Sequence, residues 1–262
     1  GSIMQEVTVA EADMTAIHKA LLETIMNEAN DIIALSDDTY TRVGFYMYSA
    51  VKGIETALAT AQTAIANGTG YGAAYEILKS EIEKFEALDK EDITIPFSAA
   101  STYVLKAYGK KTAMTLNASQ KVIVNGSADE TAAVTRWQFK ETATAGTYNI
   151  YNTSGYYLPT VSQSATMTAT TTEANYGAYT LEYKGNGLYA IRLSPAGSYT
   201  NLHADGSNDV VGWNTSAENS QWYLTKVEQS ATELNTIKLE ELVAQTKELA
   251  KKVYFDAPLQ TT

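Results

Sequence analysis

Few side chains in this sequence could do covalent or acid–base chemistry. It holds two histidines, His18 and His203, and no cysteine. Thiolate nucleophiles, disulfides and cysteine-ligated zinc are therefore absent. No His-Glu-x-x-His, phosphate-binding loop or dinucleotide fingerprint occurs. His203-Ala204-Asp205 offers two potential metal ligands without an apparent third, so no metal and no cofactor is expected. The carboxylate pairs Asp37-Asp38 and Glu240-Glu241 are adjacent in sequence. Neighbours in a turn or helix point apart, not across a scissile bond. The chain reads as a non-enzyme. Its distinctive chemistry is aromatic: 12 of its 18 tyrosines fall between residues 97 and 228, where nine acids and nine bases cancel. A neutral, aromatic-rich surface suits uncharged ligands such as sugars. β-Structure also favours tyrosine for its own sake, and both readings stand at this level.

Charge narrows the partners further. The net charge of −11 sits almost wholly in residues 1–96, which carry 16 acids and six bases. Such a surface repels phosphate backbones, so nucleic acid is not expected as a partner. No apolar run approaches the roughly 20 residues that span a bilayer. No signal peptide is legible, but Gly1-Ser2 reads as a cloning scar. The expectation is a leader removed upstream and a secreted or cell-surface protein.

Three segments must position whatever site exists. Residues 1–96 read as a helical bundle. Thr8 to Glu11 has capping-box spacing. Apolar residues then recur at Met14, Ile17, Leu21, Leu22, Ile25, Met26, Ala29, Ile32 and Ile33 until Ser36-Asp37-Asp38 breaks the pattern. A second helix is predicted through Tyr46, Val51, Ile54, Leu58, Ala61 and Ile65, ending at Asn67-Gly68. A third runs from about Tyr71 to Leu88 with Tyr75, Leu78, Ile82 and Phe85 inward. Pro96 ends helical periodicity, and alternation follows over residues 97–228. Residues 229–262 open with a second capping box, Ser230 to Glu233. They carry a stripe of Leu239, Leu242, Val243, Leu249, Ala250 and Val253. That stripe needs a partner: either it packs on the bundle as a fourth helix, or it leads into a further module.

The middle segment repeats. Aromatic anchors stand at Trp137, Tyr179 and Trp222, 42 and 43 residues apart, and Leu116, Leu158 and Leu202 precede them by 21, 21 and 20 residues. Each unit opens with an alternating strand, at Tyr103–Lys106, Tyr148–Tyr151 and Tyr189–Arg192. One such unit cannot bury its own apolar face. Three can close a six-stranded barrel capped by three hairpins, a β-trefoil. The expected fold class is multidomain α and β, a three- or four-helix bundle plus a β-trefoil.

Two family resemblances carry the reading further. Ala61–Leu88, AQTAIANGTGYGAAYEILKSEIEKFEAL, resembles the FIVAR-type helical modules of extracellular bacterial proteins, which implies a spacer or accessory role. The pairing of modules is similar to that of Bacteroidetes surface proteins. The last trefoil unit resembles the ricin-type lectins, through Tyr199-Thr200-Asn201-Leu202-His203-Ala204, Val210-Val211-Gly212-Trp213-Asn214 and Asn219-Ser220-Gln221-Trp222. That resemblance implies a ligand set of His203, Trp213, Asn214 and Asn219. A pyranose would stack on the indole, and its hydroxyls would bond to the polar side chains. The pattern departs from the family where His203 replaces the usual Asp and Ser220 the usual Gln. In the first unit Asn117 and Val124 take the corresponding places, and in the second Pro159 and Met167, with neither unit complete. The function implied is a carbohydrate-binding module whose partner is a neutral glycan, with other modules of a larger protein as further possible partners. The alternative, since trefoils also bind proteins, is an interaction or scaffolding module with no sugar site.

Overall fold

The computed structural model describes residues 11–228 together with Leu239, Val243 and Thr246. The chain forms two compact units, one of residues 11–38 with 46–93 and the other of 39–45 with 94–228.

The first unit holds three helices, α1 (Glu11–Ala34), α2 (Tyr48–Asn67) and α3 (Tyr71–Glu86). Two short parallel strands, β1 (Ser36–Asp37) and β2 (Tyr46–Met47), pair between α1 and α2. Helix α2 ends where the sequence places its stop: Gly68 adopts φ 72° and its amide bonds back to the carbonyls of Ala64 and Ile65. The three helices share a core of Leu22, Ile25, Ala29, Val51, Ile54, Leu58, Leu78, Ile82 and Phe85. The inward stripe on α1 is narrower than the sequence suggests. Met14, Ile17 and Leu21 are 40%, 48% and 43% exposed. At 3.6 residues per turn Leu21 lies about a quarter turn from Leu22, and the buried arc follows Leu22, Ile25 and Ala29. The expected capping box at Thr8 lies outside the described residues. So does most of the C-terminal helical stripe, of which Leu239 and Val243 are helical and exposed.

The second unit is built from ten strands: β3 (Thr102–Ala107), β4 (Thr112–Leu116), β5 (Val122–Asn125), β6 (Trp137–Glu141), β7 (Tyr148–Asn152), β8 (Tyr179–Gly185), β9 (Leu188–Leu193), β10 (Asn201–Ala204), β11 (Val210–Trp213) and β12 (Gln221–Glu228). Strands β3, β6, β7, β8, β9 and β12 pair in that order, and β12 returns antiparallel to β3, which closes a six-stranded barrel. The hairpins β4–β5 and β10–β11 project from it, and residues 157–170 form an irregular third hairpin through the Tyr157–Thr170 bridge. Bridges Lys121–Thr168, Ile123–Asp209 and Gln163–Gly212 tie the three hairpins to one another pairwise. This is a β-trefoil.

Alternation along the strands delivers the core. Trp137, Tyr179 and Trp222 are fully buried, one per repeat. Each satisfies its polar atom on its own repeat. Trp137 Nε1 donates to the Met114 carbonyl and Trp222 Nε1 to that of Leu202, both at 2.9 Å, and the Tyr179 hydroxyl donates to the Pro159 carbonyl. These bonds correct the alignment of the first repeat. Hairpin register matches Met114–Val124 with Leu202–Gly212 and Leu116–Val122 with Ala204–Val210. Leu202 therefore corresponds to Met114, not Leu116. Met114 precedes Trp137 by 23 residues and Leu202 precedes Trp222 by 20, because the loop before Trp137 is longer.

Residues 39–45, which the sequence places inside the helical segment, belong to the trefoil. Val43 N donates to Leu224 O at 3.0 Å and Lys226 N to Thr41 O at 2.8 Å, so this stretch lies along β12. On its other side Gly44 N bonds to Ile95 O and Ile95 N to Phe45 O. Val43 is fully buried in the barrel core with Tyr103, Leu105 and Leu224. Its neighbours leave little room: a Cβ on Gly187 would stand 2.1 Å from the Phe45 ring.

Candidate functional site

The β10–β11 hairpin and the segment that follows it carry the residues implied by the sequence. Strand β10 presents His203 and β11 ends on Trp213; the pairing Asn201–Trp213 closes the hairpin at its base. The Asn201 amide donates to the Trp213 carbonyl at 3.0 Å and fixes the backbone there. Alternation puts Leu202 and Ala204 in the core and leaves His203 half-buried on the other face. Trp213 is partly exposed, unlike Trp137 and Trp222. Its ring lies 5.8 Å from that of His203, tilted by 33°, and 5.7 Å from that of Tyr199, tilted by 49°. Three rings thus converge at one place, and Tyr199 was not part of the implied ligand set.

The hairpin is held closely. A Cβ on Gly212 would lie 2.4 Å from the Tyr199 carbonyl oxygen and 2.5 Å from that of Ser162. Both are backbone atoms and cannot swing away. Gly212→Ala is expected to cost about 1–3 kcal/mol in urea unfolding, and to dislocate Trp213 at the same time.

His203 Nδ1 lies 3.0 Å from the Ser220 hydroxyl. No hydrogen bond is made by Nε2 among the described residues. The same link recurs in the first repeat between Thr115 and Thr135, at 2.9 Å. Thr135 and Ser220 each stand two residues before their tryptophan, so Thr115, and not Asn117, is the counterpart of His203. Asn117 instead corresponds to Asp205: both cap their turns by accepting backbone amides two and four residues on.

Burial holds the His203 imidazole below the usual histidine range. Asp205 opposes that shift and Lys110 reinforces it. The ring is therefore neutral at pH 7. A histidine whose folded pKa is depressed contributes stability that is complete above its unfolded pKa of 6.5 and is lost as the pH falls through the folded value. Ligand binding that uses the neutral ring follows the same direction. Binding is expected to weaken between pH 7.5 and pH 5 in the native protein and to stay flat in His203→Asn, as read by calorimetric titration at both pH values.

The remaining implied residues are placed as follows. Asn219 lies in the 3-10 turn Glu218–Ser220, with its side-chain oxygen packed over Gly109. Asn214 accepts the Ser216 hydroxyl at 3.0 Å, within the turn after β11.

The other two hairpins differ. Met167 O accepts from Val122 N and Val210 O from Met167 N, which makes these three buried residues equivalent. The position of Trp213, three residues on, is then Asn125 in the first repeat and Thr170 in the second, not Val124 and Met167. The second repeat instead carries a tyrosine stack: Tyr157 lies 3.7 Å from Tyr176 at 9° and 4.8 Å from Tyr151 at 20°. Beside it is a cleft of about 440 Å³ lined by Pro159, Thr160, Thr168, Thr170 and Asn175. Tyrosine density was its only sequence signal. Among the described residues no group of three or more His, Asp or Glu side chains could hold a metal ion, and no helix is long and apolar enough to cross a membrane.

No known protein-family profile matches this sequence, and no curated protein matches it. Among solved structures, the Rhizoctonia solani agglutinin is similar at 21% identity and a TM-score of 0.41, over 50% of this chain and 99% of its own. The Polyporus squamosus lectin, bound to a sialylated trisaccharide epitope, is similar at 20% identity and a TM-score of 0.43, over 51% of this chain and 51% of its own. A GlcNAcα1-4Gal-releasing endo-β-galactosidase from Clostridium perfringens is similar at 14% identity and a TM-score of 0.42, over 49% of this chain and 33% of its own. The trefoil fold of this chain stands on its own strand pairing and threefold core.

Proposed function

We propose that this chain is a non-catalytic carbohydrate-binding module that takes a neutral glycan at the last trefoil repeat. The observation that carries the reading is Trp213: a partly exposed indole at a hairpin end, flanked by the rings of His203 and Tyr199, in a protein whose other two tryptophans are sealed in the core. An indole face takes the apolar C–H surface of a pyranose, and a few fixed polar groups at its edge select hydroxyls. His203 Nε2 and the Asn219 amide are those groups here. The flanking helical unit is read as a spacer, and the whole as part of a secreted or cell-surface protein, in keeping with a cysteine-free, acidic chain.

A second reading, protein interaction without a sugar site, is favoured by one observation: Met14, Ile17 and Leu21 form an exposed apolar row on α1. A glycan array probed with the intact protein separates the two. Retention on neutral glycans, competed by millimolar free sugar, supports the first. Absence of any glycan signal sinks it and leaves the second.

A further inference from the structure

We propose that the last repeat's site is built jointly with the first repeat: the turn Tyr108–Lys111, between β3 and β4, forms its wall and holds its polar groups in place. The inference rests on the reading of that site as the ligand site.

Barrel closure makes this possible. Strand β12 pairs with β3 so that Trp222 lies opposite Ala107. The turn that follows Ala107 is thereby delivered to the segment that precedes Trp222. Three contacts fix it there. The Tyr108 amide donates to the Gln221 carbonyl at 2.9 Å. Gly109 packs under Asn219: a Cβ on it would stand 2.2 Å from Asn219 Oδ1, 3.2 Å from Asn219 Cγ and 3.5 Å from Glu218 Cβ. The φ of Gly109 lies outside the left-handed region. A Cβ at this position would therefore have to displace the Asn219 side chain. Lys110 reaches the other way. Its ammonium donates to the Asp205 carbonyl and to Asn208 Oδ1, the latter at 2.7 Å.

The consequence is mechanical. His203 is followed directly by the turn Asp205–Asn208, and Asn219 lies in the turn before β12. Gly109 fits against the second turn and Lys110 latches the first. One short turn from the far end of the trefoil sequence therefore sets the spacing between the two segments that carry the polar groups. The positive charge of Lys110, held at the Asp205–Asn208 turn, also disfavours protonation of the His203 imidazole. The groups bearing on that ring are then Lys110 from the β3–β4 turn, Asp205 from its own hairpin, and the Ser220 hydroxyl. Gly109 and Lys110 are positioning residues, since both act through Asn219 and His203.

The test uses the intact protein and four probes: the methyl pyranosides of galactose, glucose, mannose and N-acetylglucosamine, titrated while tryptophan fluorescence is read. With Trp137 and Trp222 fully buried, a sugar-dependent change reports Trp213. Gly109→Ala is expected to weaken the best probe about tenfold, the size of one misplaced hydrogen bond, and Lys110→Met several-fold. Lys110→Arg, which keeps the charge and the donors, is expected to restore most of the loss. A purely structural role would not move the second readout. Lys110→Met should raise the NMR titration midpoint of His203, which is easily followed beside the one other histidine, His18. If Gly109→Ala does not fold, Lys110→Met carries the test, because it adds nothing to a packed space. Binding lost in Trp213→Ala but unchanged in Gly109→Ala and Lys110→Met, with an unmoved His203 midpoint, overturns this inference alone. A native protein that responds to none of the four probes overturns the reading of the site, and this inference with it.

Discussion

Trp213→Ala is expected to remove detectable glycan binding while leaving the fold intact. The indole is partly exposed at the end of β11 and contributes no atom to the barrel core, which is formed by Trp137, Tyr179, Trp222 and the residues around them. Its loss therefore costs little stability. In binding, a central aromatic anchor is worth about 2 kcal/mol or more, and about 1.4 kcal/mol is tenfold in affinity. An open site of this kind holds a monosaccharide weakly, so a loss of about 30-fold carries it beyond the range of titration. The measurement is isothermal titration of native and variant protein with the best sugar from the array, with thermal unfolding run alongside. An unchanged melting curve with binding lost is the expected pair. A variant that binds as tightly as the native chain removes the indole from the site.

The largest expected effect on stability is at Val43. Valine there is fully buried among Tyr103, Leu105 and Leu224, and its backbone is paired with β12. Val43→Asp places a carboxylate in that apolar core, and such a group is either driven neutral or forces the segment out. The expected loss is about 3–5 kcal/mol, a large part of the roughly 5–15 kcal/mol that holds a domain together. Urea unfolding followed by near-ultraviolet circular dichroism of the trefoil tryptophans measures it. Val43→Thr, nearly isosteric, should lose much less. If Val43→Asp unfolds at the native midpoint, residues 39–45 are not an integral part of the trefoil.

The two expectations differ in how far the sequence alone could have reached them. The trefoil was legible because its information is periodic. Anchors 42 and 43 residues apart, each preceded by a leucine and a turn, can bury their apolar faces only together. The helix stop at Gly68 was legible because left-handed backbone demands a residue without a Cβ. Details that depend on loop length were not. The longer loop before Trp137 shifted the first repeat's alignment from Met114 to Leu116, and the indole hydrogen bond to the Met114 carbonyl, with the hairpin register, reveals the shift. Likewise the apolar period of α1 fixed a helix, but not which side of it would meet α2 and α3.

The site divides along the same line. The residue types of the last hairpin, with one tryptophan and one histidine ten residues apart, sufficed to single out His203 and Trp213. Tyr199 and Ser220 complete their surroundings through hairpin register and ring packing. Gly109 and Lys110 lie about a hundred residues away, brought in by the closure of β12 on β3. The tyrosine stack of the second repeat is assembled from Tyr151, Tyr157 and Tyr176, on separate elements.

By itself the sequence determined which segments are helical and which repeat, because local periodicity fixes the face that each must bury. Only the tertiary structure decided that residues 39–45 run along β12 in the barrel wall, and that a first-repeat turn walls the last repeat's hairpin. Both depend on pairings between strands more than a hundred residues apart, which leave no local trace in the order of the amino acids.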